Sequence, residues 1–272
     1  MPYLSPTLNV MVAAARKAGR GLIRDFGELE HLQVSLKGPA DFVSTADQRT
    51  ERILMEELSR ARPGYGIYAE ETGPHEGPDK THRVIIDPLV GTTNFLHGVP
   101  IFSISIALER EGLLQSALVY NPVADEMFVA ERSHGAYLND RRLRVAARKS
   151  LKESLIATGI PFLGRGDQAH HDRSLAEIRA VIATTTGVRR CGSAALDLAG
   201  VAAGRFDGFW ERGLNQWDIA AGILLVREAG GIATDADGGS EPLAKGSVLA
   251  ANEALHPQIL KLLKEAALPD RS

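Results

Sequence analysis

The chain lacks the features that mark secreted or membrane-bound proteins. Its 272 residues include one cysteine, Cys191, so an intrachain disulfide is excluded and a reducing compartment is favoured. Cys191 itself is expected to be a small buried apolar residue. No apolar run is long enough to cross a bilayer, and Arg16, Lys17 and Arg20 interrupt the N-terminal run before it could form a secretory signal. We therefore expect a cytoplasmic protein with no membrane partner.

An excess of charge of one sign is lacking as well. The chain has 31 basic and 34 acidic residues, a formal net charge of −3 and no long run of either sign. The bulk charge therefore gives no indication of a nucleic-acid or membrane surface. Apolar residues make up 44% and charged residues 24%, as in ordinary globular proteins, and the length suits one large domain or two closely fused halves.

The spacing of apolar residues predicts helices and strands in layers. Steps of three and four predict a helix over residues 8–26 and a second helix from Gln48 to about Arg60, with Asp47 as its cap. Strands in an antiparallel meander follow, and after them helices and strands alternate. This mixture indicates stacked helix and sheet layers rather than a barrel. The polar segment Gly73–Lys80, rich in Gly and Pro, is predicted to be a mobile loop.

Three acidic residues stand at the ends of apolar segments. Glu70 follows a predicted strand that ends at Ala69, Asp87 ends another strand, and Asp218 opens a predicted helix. Mg²⁺ prefers hard oxygen ligands, and a two-metal phosphatase gathers carboxylates from distant parts of the chain. The joint pattern predicts such a site. Taken singly, each acid has an ordinary alternative as a solvated loop acid, a turn residue or a helix cap, and the same holds for Asp47.

Two glycine-led segments could hold a phosphate group. Gly91-Thr92-Thr93 follows the Asp87 strand, and Gly192-Ser193-Ala194-Ala195 opens a predicted helix. Small residues leave backbone N–H groups accessible, and the first turn of a helix attracts anions. One such segment is weak evidence. Two of them beside acidic strand ends favour a phosphate site.

Three segments together resemble the inositol monophosphatase family, and specifically its bacterial extragenic-suppressor branch. They are Ala69-Glu70-Glu71-Thr72, Ile86-Asp87-Pro88-Leu89-Val90-Gly91-Thr92-Thr93-Asn94-Phe95 and Trp217-Asp218-Ile219-Ala220-Ala221-Gly222. The similarity extends from Lys37 to Asn252. It implies an α+β fold, the αβαβα five-layer sandwich of the inositol monophosphatase and fructose-1,6-bisphosphatase type. We expect a single domain over residues 1–272, with approximate halves 1–150 and 151–272 and the active site between them.

The resemblance also implies roles for particular residues. Glu70 and Asp87, with the carbonyl of Leu89, would bind one Mg²⁺, and Asp87 with Asp218 a second. Thr92 and Asp47, with Glu70, would activate the attacking water. Substrate contacts would come from Gly91, Thr92, Gly192, Ser193, Ala194, Glu211 and Asp218. The implied substrate is a small phosphomonoester such as myo-inositol 1-phosphate, and the implied assembly is a homodimer. Thr93-Asn94-Phe95 fits the inositol branch better than the nucleotide 3′-phosphatase branch.

One position departs from the family pattern. The pattern reads Asp-Pro-Leu-Asp-Gly-Thr-Thr, and Val90 stands where its second Asp belongs. That Asp normally binds the second metal, so we expect weakened metal binding, impaired turnover and less inhibition by lithium than in relatives. Val90 is either an inactivating substitution in an ordinary enzyme or the mark of a pseudo-phosphatase kept for binding.

Three hypotheses follow. The first is the inositol phosphatase reaction, and the second is fructose 1,6-bisphosphatase activity, since the metal site does not choose the alcohol. The third is an interaction protein of the transcription or RNA-processing machinery. That third hypothesis rests on the lost ligand and on two basic clusters, Arg141-Arg142-Arg144 and Arg189-Arg190. Ordinary solvated charge is the alternative explanation of both clusters.

Overall fold

The computed structural model describes residues 5–29, 34–38, 41–161, 164 and 166–266. Its helices are α1 Pro6–Phe26, α2 Thr45–Ala61, α3 Thr92–Leu96, α4 Gln168–Ile182, α5 Ala194–Ala202, α6 Gln216–Glu228, α7 Pro242–Lys245 and α8 His256–Ala266, with a 3-10 turn at Leu151–Glu153. Its strands are β1 Val34–Gly38, β2 Asp41–Ser44, β3 Tyr65–Ala69, β4 Gly73–His75, β5 Asp79–Val90, β6 Ser103–Arg110, β7 Leu113–Asn121, β8 Glu126–Glu131, β9 Gly135–Leu138, β10 Arg141–Arg142, β11 Leu155–Thr158, β12 Gly187–Arg189, β13 Gly208–Arg212, β14 Ile232–Thr234 and β15 Ser247–Ala251. Pro39 and Ala40, within the region of family similarity, lie outside the described residues.

Two sheets form the framework. The larger has eight strands in the order β10-β9-β8-β7-β6-β5-β3-β4, and the smaller has five in the order β12-β11-β13-β15-β14. β3 and β5 are parallel, whereas β5 to β10 form an antiparallel meander, as the sequence predicts. Consecutive strands in the meander are joined by short turns because antiparallel neighbours need no crossover.

Helices cover both sheets and separate them. On one side of the large sheet, α1 and α2 pack in a core that includes Leu22, Leu54 and Phe102. Between the sheets, α5 and α6 pack in a second core that reaches both. On the far side of the small sheet, α4 and α8 contribute Val181 and Ile259 to a third core. The predicted αβαβα five-layer sandwich is confirmed.

Two helix starts differ from the sequence prediction. α2 begins at Thr45 with Ser44 as its N-cap, so Asp47 is not the cap but the third helical residue, where it closes a capping box. α6 begins at Gln216 with Asn215 as its N-cap, and Asp218 is again the third residue. Periodicity alone placed both starts two to three residues late because the first turn of each helix is polar.

The predicted mobile loop Gly73–Lys80 is partly strand. Gly73–His75 forms β4 and pairs with β3, and β5 already begins at Asp79. β4 covers the otherwise unpaired edge of β3, which an exposed edge strand requires. Gly77 permits the close chain crossing, since a Cβ there would lie 2.3 Å from the Gly64 carbonyl oxygen. Of the helices that the structure describes, none has the length and apolarity to cross a membrane.

Candidate active site

Asp87 is the centre of an acidic group near the end of β5, which continues to Val90, three residues beyond the strand end predicted at Asp87. Its side chain is buried, and its Oδ1 accepts the N–H of Leu89 at 2.9 Å, which fixes the carboxylate in an Asx-type turn. The pKa of Asp87 is raised well above its usual range, first by burial and then by the charges of Glu70 and Asp218. The three acids predicted from the sequence are therefore brought within electrostatic reach of one another.

Glu70 and Asp218 reach Asp87 from separate elements. Glu70 directly follows β3, and its N–H donates to the Ile86 carbonyl at 3.1 Å, so the backbone there continues alongside β5. Asp218 lies in the first turn of α6, where its Oδ2 accepts the Asn215 N–H at 2.7 Å. Both side chains are half-buried. The parallel pairing of β3 with β5 explains why acids at the carboxyl ends of these strands meet.

Asp47 and Thr92 form a second polar group beside the first. The Thr92 hydroxyl lies 3.1 Å from Asp47 Oδ1 and 3.1 Å from the Leu89 carbonyl oxygen, so it can donate its single proton to either. Asp47 Oδ2 accepts the backbone N–H of Ser44 at 2.9 Å and the Ser44 hydroxyl at 2.6 Å. Burial raises the pKa of Asp47, and these hydrogen bonds act against the rise. The pair joins α2 to the turn after β5.

The two predicted phosphate-binding segments lie against each other. Gly91 has a φ of +101°, and a Cβ there would come within 3.1 Å of the Gly192 carbonyl oxygen, so glycine is required at this crossing. The side-chain amide of Asn94 donates to the carbonyls of Ile101 and Cys191, each at 2.8 Å, and so joins the two segments. Sequence reasoning did not identify Asn94 as a site residue, since an Asn after two Thr reads as an ordinary turn residue.

Val90 directly precedes Gly91 and packs in the same apolar core as Ala194 of the second segment. It is the last residue of β5, is 4% exposed, and pairs in register with Ser103. The Ser103 and Ser193 hydroxyls are 3.4 Å apart, and Val90 belongs to the same apolar core as Ala194. Position 90 is thus filled by apolar packing, and no carboxylate occupies it.

Glu211 lines a separate cavity. It lies on β13, and the cavity of 280 Å³ beside it is lined by His170 of α4, Trp210 and Asn215 among others. The Glu211 carboxylate lies over Gly159, where a Cβ would be 1.9 Å from it. Asn215 caps α6, so the cavity lies next to the turn that carries Asp218. The cavity lined by Glu211 therefore lies beside the acidic group, at the start of α6.

Cys191 is half-buried rather than fully buried, which corrects the expectation from the sequence. Burial, then the charge of Asp197 and then a hydrogen bond with Asp197 raise the pKa of the Cys191 thiol to about 12. The thiol therefore stays protonated at neutral pH and is a poor nucleophile or metal ligand. Arg190, which precedes it, is exposed.

The donor set fits a hard cation held by few carboxylates. Among the residues that the structure describes, no three His, Cys, Asp or Glu side chains are grouped to hold one metal ion together. Instead Asp87 interacts with Glu70 and with Asp218. Mg²⁺ usually takes one or two carboxylates and keeps several waters, so such pairs suit it, whereas the thiol of Cys191 does not. The Leu89 carbonyl oxygen lies on the same turn as Asp87.

The fold and the site together define a class: a five-layer α+β protein with an acidic centre at the end of an internal strand. Comparison with known proteins identifies the family within this class. The model of the inositol monophosphatase family matches residues 3–268. The chain belongs to the inositol monophosphatase family.

The relatives fall into two named groups. The inositol-1-monophosphatase of Mesorhizobium japonicum is 59% identical over 261 residues, covering 96% of this chain and 97% of that protein. A putative Nus factor SuhB of Neisseria meningitidis serogroup B is 47% identical over 260 residues, covering 96% and 98%. The crystal structure of extragenic suppressor protein suhB from Bartonella henselae matches with a TM-score of 0.93 at 54% identity, covering 96% and 99%. The resemblance to the extragenic-suppressor branch is confirmed.

Proposed function

We propose that the chain is a Mg²⁺-dependent phosphomonoester hydrolase that acts on myo-inositol 1-phosphate, with turnover limited by Val90. The observation that carries the proposal is the short polar chain Asp47–Thr92–Leu89 beside the buried Asp87 carboxylate. The family of the chain, and relatives named inositol-1-monophosphatase at 59% identity, support the reaction class. We further propose a cytoplasmic homodimer.

Asp47 and Thr92 would prepare the attacking water. The Thr92 hydroxyl donates to Asp47 or to the Leu89 carbonyl, which leaves its oxygen lone pairs free to accept a hydrogen bond from the water. Burial raises the pKa of Asp47 and so makes it a better proton acceptor than a solvated Asp. Glu70, at the carboxyl end of the neighbouring strand β3, would orient the same water. Proton transfer of this kind contributes on the order of 10²–10⁴-fold to rates.

The remaining residues would hold the substrate. Backbone N–H groups after Gly91 and Gly192 suit the phosphate oxygens, because both glycines leave the backbone open to a close approach. Glu211 and Asp218 would accept hydrogen bonds from the hydroxyl groups of the inositol ring, and the backbone N–H groups of Ser193 and Ala194 would donate to the hydroxyl oxygens. The cavity of 280 Å³ beside Glu211 would provide space for that ring.

Metal binding would fall to the acidic group. Glu70, Asp87 and the Leu89 carbonyl would hold one Mg²⁺, and Asp87 with Asp218 a weaker second one. Bound Mg²⁺ supplies a Lewis acid for the phosphoryl oxygens and lowers the pKa of a coordinated water. It would also neutralise the repulsion that raises the pKa of Asp87.

Phosphate release from a substrate panel tests the proposal. The purified chain should release phosphate from myo-inositol 1-phosphate in a Mg²⁺-dependent manner, slowly, and faster than from fructose 1,6-bisphosphate or nucleotide 3′-phosphates. Thr92→Ala is the loss-of-function comparison and should lower the rate of phosphate release by about 10²-fold, because the attacking water loses its positioning hydroxyl. Faster release from fructose 1,6-bisphosphate would replace the substrate assignment, and equal release from nucleotide 3′-phosphates would overturn the branch. No Mg²⁺-dependent release from any of them would overturn the enzyme proposal.

A second candidate function is association with the transcription machinery. It is favoured by the relative named putative Nus factor SuhB at 47% identity. Arg141, Arg142 and Arg144 are exposed, as are Arg189 and Arg190, so both basic clusters are available for contact. We expect a tagged chain to co-purify with RNA polymerase components from its own cells, and charge reversal at Arg189 and Arg190 to weaken the recovery. Recovery of no such component would count against this function.

A further inference from the structure

Three side chains next to the acidic group form a stack that the reaction itself does not use. The Arg83 guanidinium lies over the Tyr68 ring, 5.5 Å from its centroid. The Tyr68 ring in turn meets the Trp217 ring edge-on at 5.1 Å. We call Arg83, Tyr68 and Trp217 the Arg83 stack. Its members come from β5, β3 and α6, the three elements whose ends carry Asp87, Glu70 and Asp218.

The sheet geometry places the stack directly behind the acids. Arg83, Ile85 and Asp87 occupy every second position of β5, so their side chains lie on the same face of the sheet. Tyr68 pairs in register with Ile85, midway between Arg83 and Asp87. Trp217 immediately precedes Asp218. The stack therefore lies next to the acids, on the same elements that carry them.

Hydrogen bonds connect the stack to the first turn of α6. Arg83 Nη2 donates to Gln216 Oε1 at 3.1 Å and to Glu109 Oε2 of β6 at 3.0 Å. The Ser105 hydroxyl donates to the Trp217 carbonyl at 3.2 Å, and Ser105 pairs in register with Asp87. The first turn of α6 is thus attached to the large sheet at two points, at Gln216 and at Trp217, which immediately precede Asp218.

Stability alone does not explain this use of an arginine. Arg83 Nε is buried and has no hydrogen-bond partner among the described residues. A buried donor without a partner costs free energy. A cation over an aromatic ring and a surface ion pair return at most a comparable amount, so they leave no clear net gain in stability. The guanidinium is therefore held where its Nη2 reaches both Gln216 and Glu109 while the group lies over the Tyr68 ring, an arrangement that a compact ammonium does not reproduce.

We propose that Arg83 is a positioning residue: through Gln216 and the Tyr68–Trp217 pair it fixes the first turn of α6, and with it the Asp218 carboxylate relative to Asp87. The proposal rests on the proposed function in one respect, since it assigns Asp218 to a metal site. Partners behind metal-binding side chains typically change metal affinity by about 10–100-fold when removed.

Metal binding is the test, measured by calorimetric titration of the full chain with Mn²⁺ as the probe. Arg83→Ala should weaken Mn²⁺ binding on the order of 10-fold. Arg83→Lys should stay near the Ala variant, because it keeps the charge without the planar guanidinium that lies over Tyr68. Gln216→Ala removes only the link to α6 and should weaken binding in the same direction. In the double variant Arg83→Ala/Gln216→Ala the two effects should overlap rather than add.

Arg110→Ala is the matched control. Arg110 lies on the neighbouring strand β6, is exposed, and its ion pair with Glu111 spans 4.0 Å. Its removal takes away the same charge and should leave Mn²⁺ affinity unchanged. Arg83→Ala with the affinity of wild type and of Arg110→Ala would overturn the proposal, as would strictly additive effects of Arg83→Ala and Gln216→Ala.

The two proposals fail separately. A chain that shows the expected Mn²⁺ pattern and releases no phosphate from any substrate would overturn the proposed function and support the positioning role. A chain that releases phosphate, and whose Mn²⁺ affinity is unaffected by Arg83→Ala and Gln216→Ala, would support the proposed function and overturn the positioning role. A wild-type chain that binds no Mn²⁺ would overturn both. Where Arg83→Ala fails to fold, Gln216→Ala carries the test alone.

Discussion

Val90→Asp should raise kcat/KM for myo-inositol 1-phosphate by about 10²-fold or more, the usual worth of one charge-stabilising group in such a site. The new carboxylate would stand at the end of β5, three residues beyond Asp87 and beside Ser103. There it would add an anionic oxygen to the Asp87–Asp218 pair. The gain should appear mainly as turnover at low Mg²⁺, since the substitution supplies a ligand rather than a substrate contact.

The same substitution should lower stability when metal is absent. Val90 is buried in an apolar core, and a carboxylate of similar size placed there lacks a partner until a cation binds. Thermal unfolding in chelator should therefore occur at a lower temperature than for wild type, and Mg²⁺ should restore it by mass action. Lithium should also inhibit the Asp variant more strongly than wild type.

Val90→Asn separates charge from shape. Asparagine matches aspartate in size but is a neutral and weaker ligand for Mg²⁺. It should recover only a small part of the gain. Equal turnover for wild type, Val90→Asp and Val90→Asn would show that position 90 does not limit this chain, and the impairment assigned to Val90 would be wrong.

Asp197→Asn should stabilise the protein above neutral pH. Asp197 lies in the first turn of α5, is buried, and its Oδ1 has no hydrogen-bond partner among the described residues. Burial raises the pKa of its carboxyl from 3.8 to about 7, although the Cys191 thiol and Arg190 act in the opposite direction. The folded protein thus holds a proton that the unfolded chain releases near pH 4.

The sign of the pH dependence follows from linkage. With the folded pKa above the unfolded one, the stabilisation is complete below pH 4 and is lost as the pH rises through about 7. Between pH 5 and pH 8, Asp197 should lower the free energy of unfolding by about 3 kcal/mol, an order-of-magnitude figure. Asn cannot ionise, so the difference between the Asn variant and wild type should grow across this range.

Urea unfolding of both proteins at pH 5 and pH 8 measures that difference. Asp207→Asn is the contrasting control, because Asp207 is equally buried but accepts the Arg148 guanidinium at 3.1 Å and the Leu155 N–H at 2.8 Å. Loss of a buried, partnered carboxylate should destabilise by about 1–3 kcal/mol. An Asp197→Asn variant no more stable than wild type at pH 8 would contradict the prediction.

Local structure and the chemistry of single residues can be predicted from the sequence, whereas contacts between residues distant in the chain cannot. The end of β3 and the acid that follows it, Glu70, could be predicted from the apolar residues before it. The strand that carries Asp87 could be predicted as well, but its end could not, because β5 runs on past Pro88 to Val90. The contact of Tyr68, Arg83 and Trp217 could not, because it depends on the register of β3 against β5 and on where α6 docks. Neither could the Asn94 amide, whose partner carbonyl at Cys191 lies 97 residues away.

The two misplaced helix starts have a physical cause. An Asp near a helix start can be a cap or a functional acid, and sequence spacing offers the two as alternatives. Asp47 and Asp218 are instead third helical residues that close a capping box, with Oδ2 bonded to a backbone N–H, and each is also an acid of the proposed site. The third helical position permits this because the side chain folds back over the cap while its other oxygen points away.

Because some acidic positions of the site also bind backbone N–H groups, the positions differ in how easily their acid can be replaced. Asp47, Asp87 and Asp218 each hold a backbone N–H of their own turn or helix start, so replacing any of them also loosens the local chain. Position 90 carries no such structural role, since its backbone pairs with Ser103 of β6 and its side chain fills apolar space. In a chain under selection for folding alone, substitutions would therefore be tolerated more readily at this position than at those three acids. Such a chain would keep its helix caps long after its chemistry had gone.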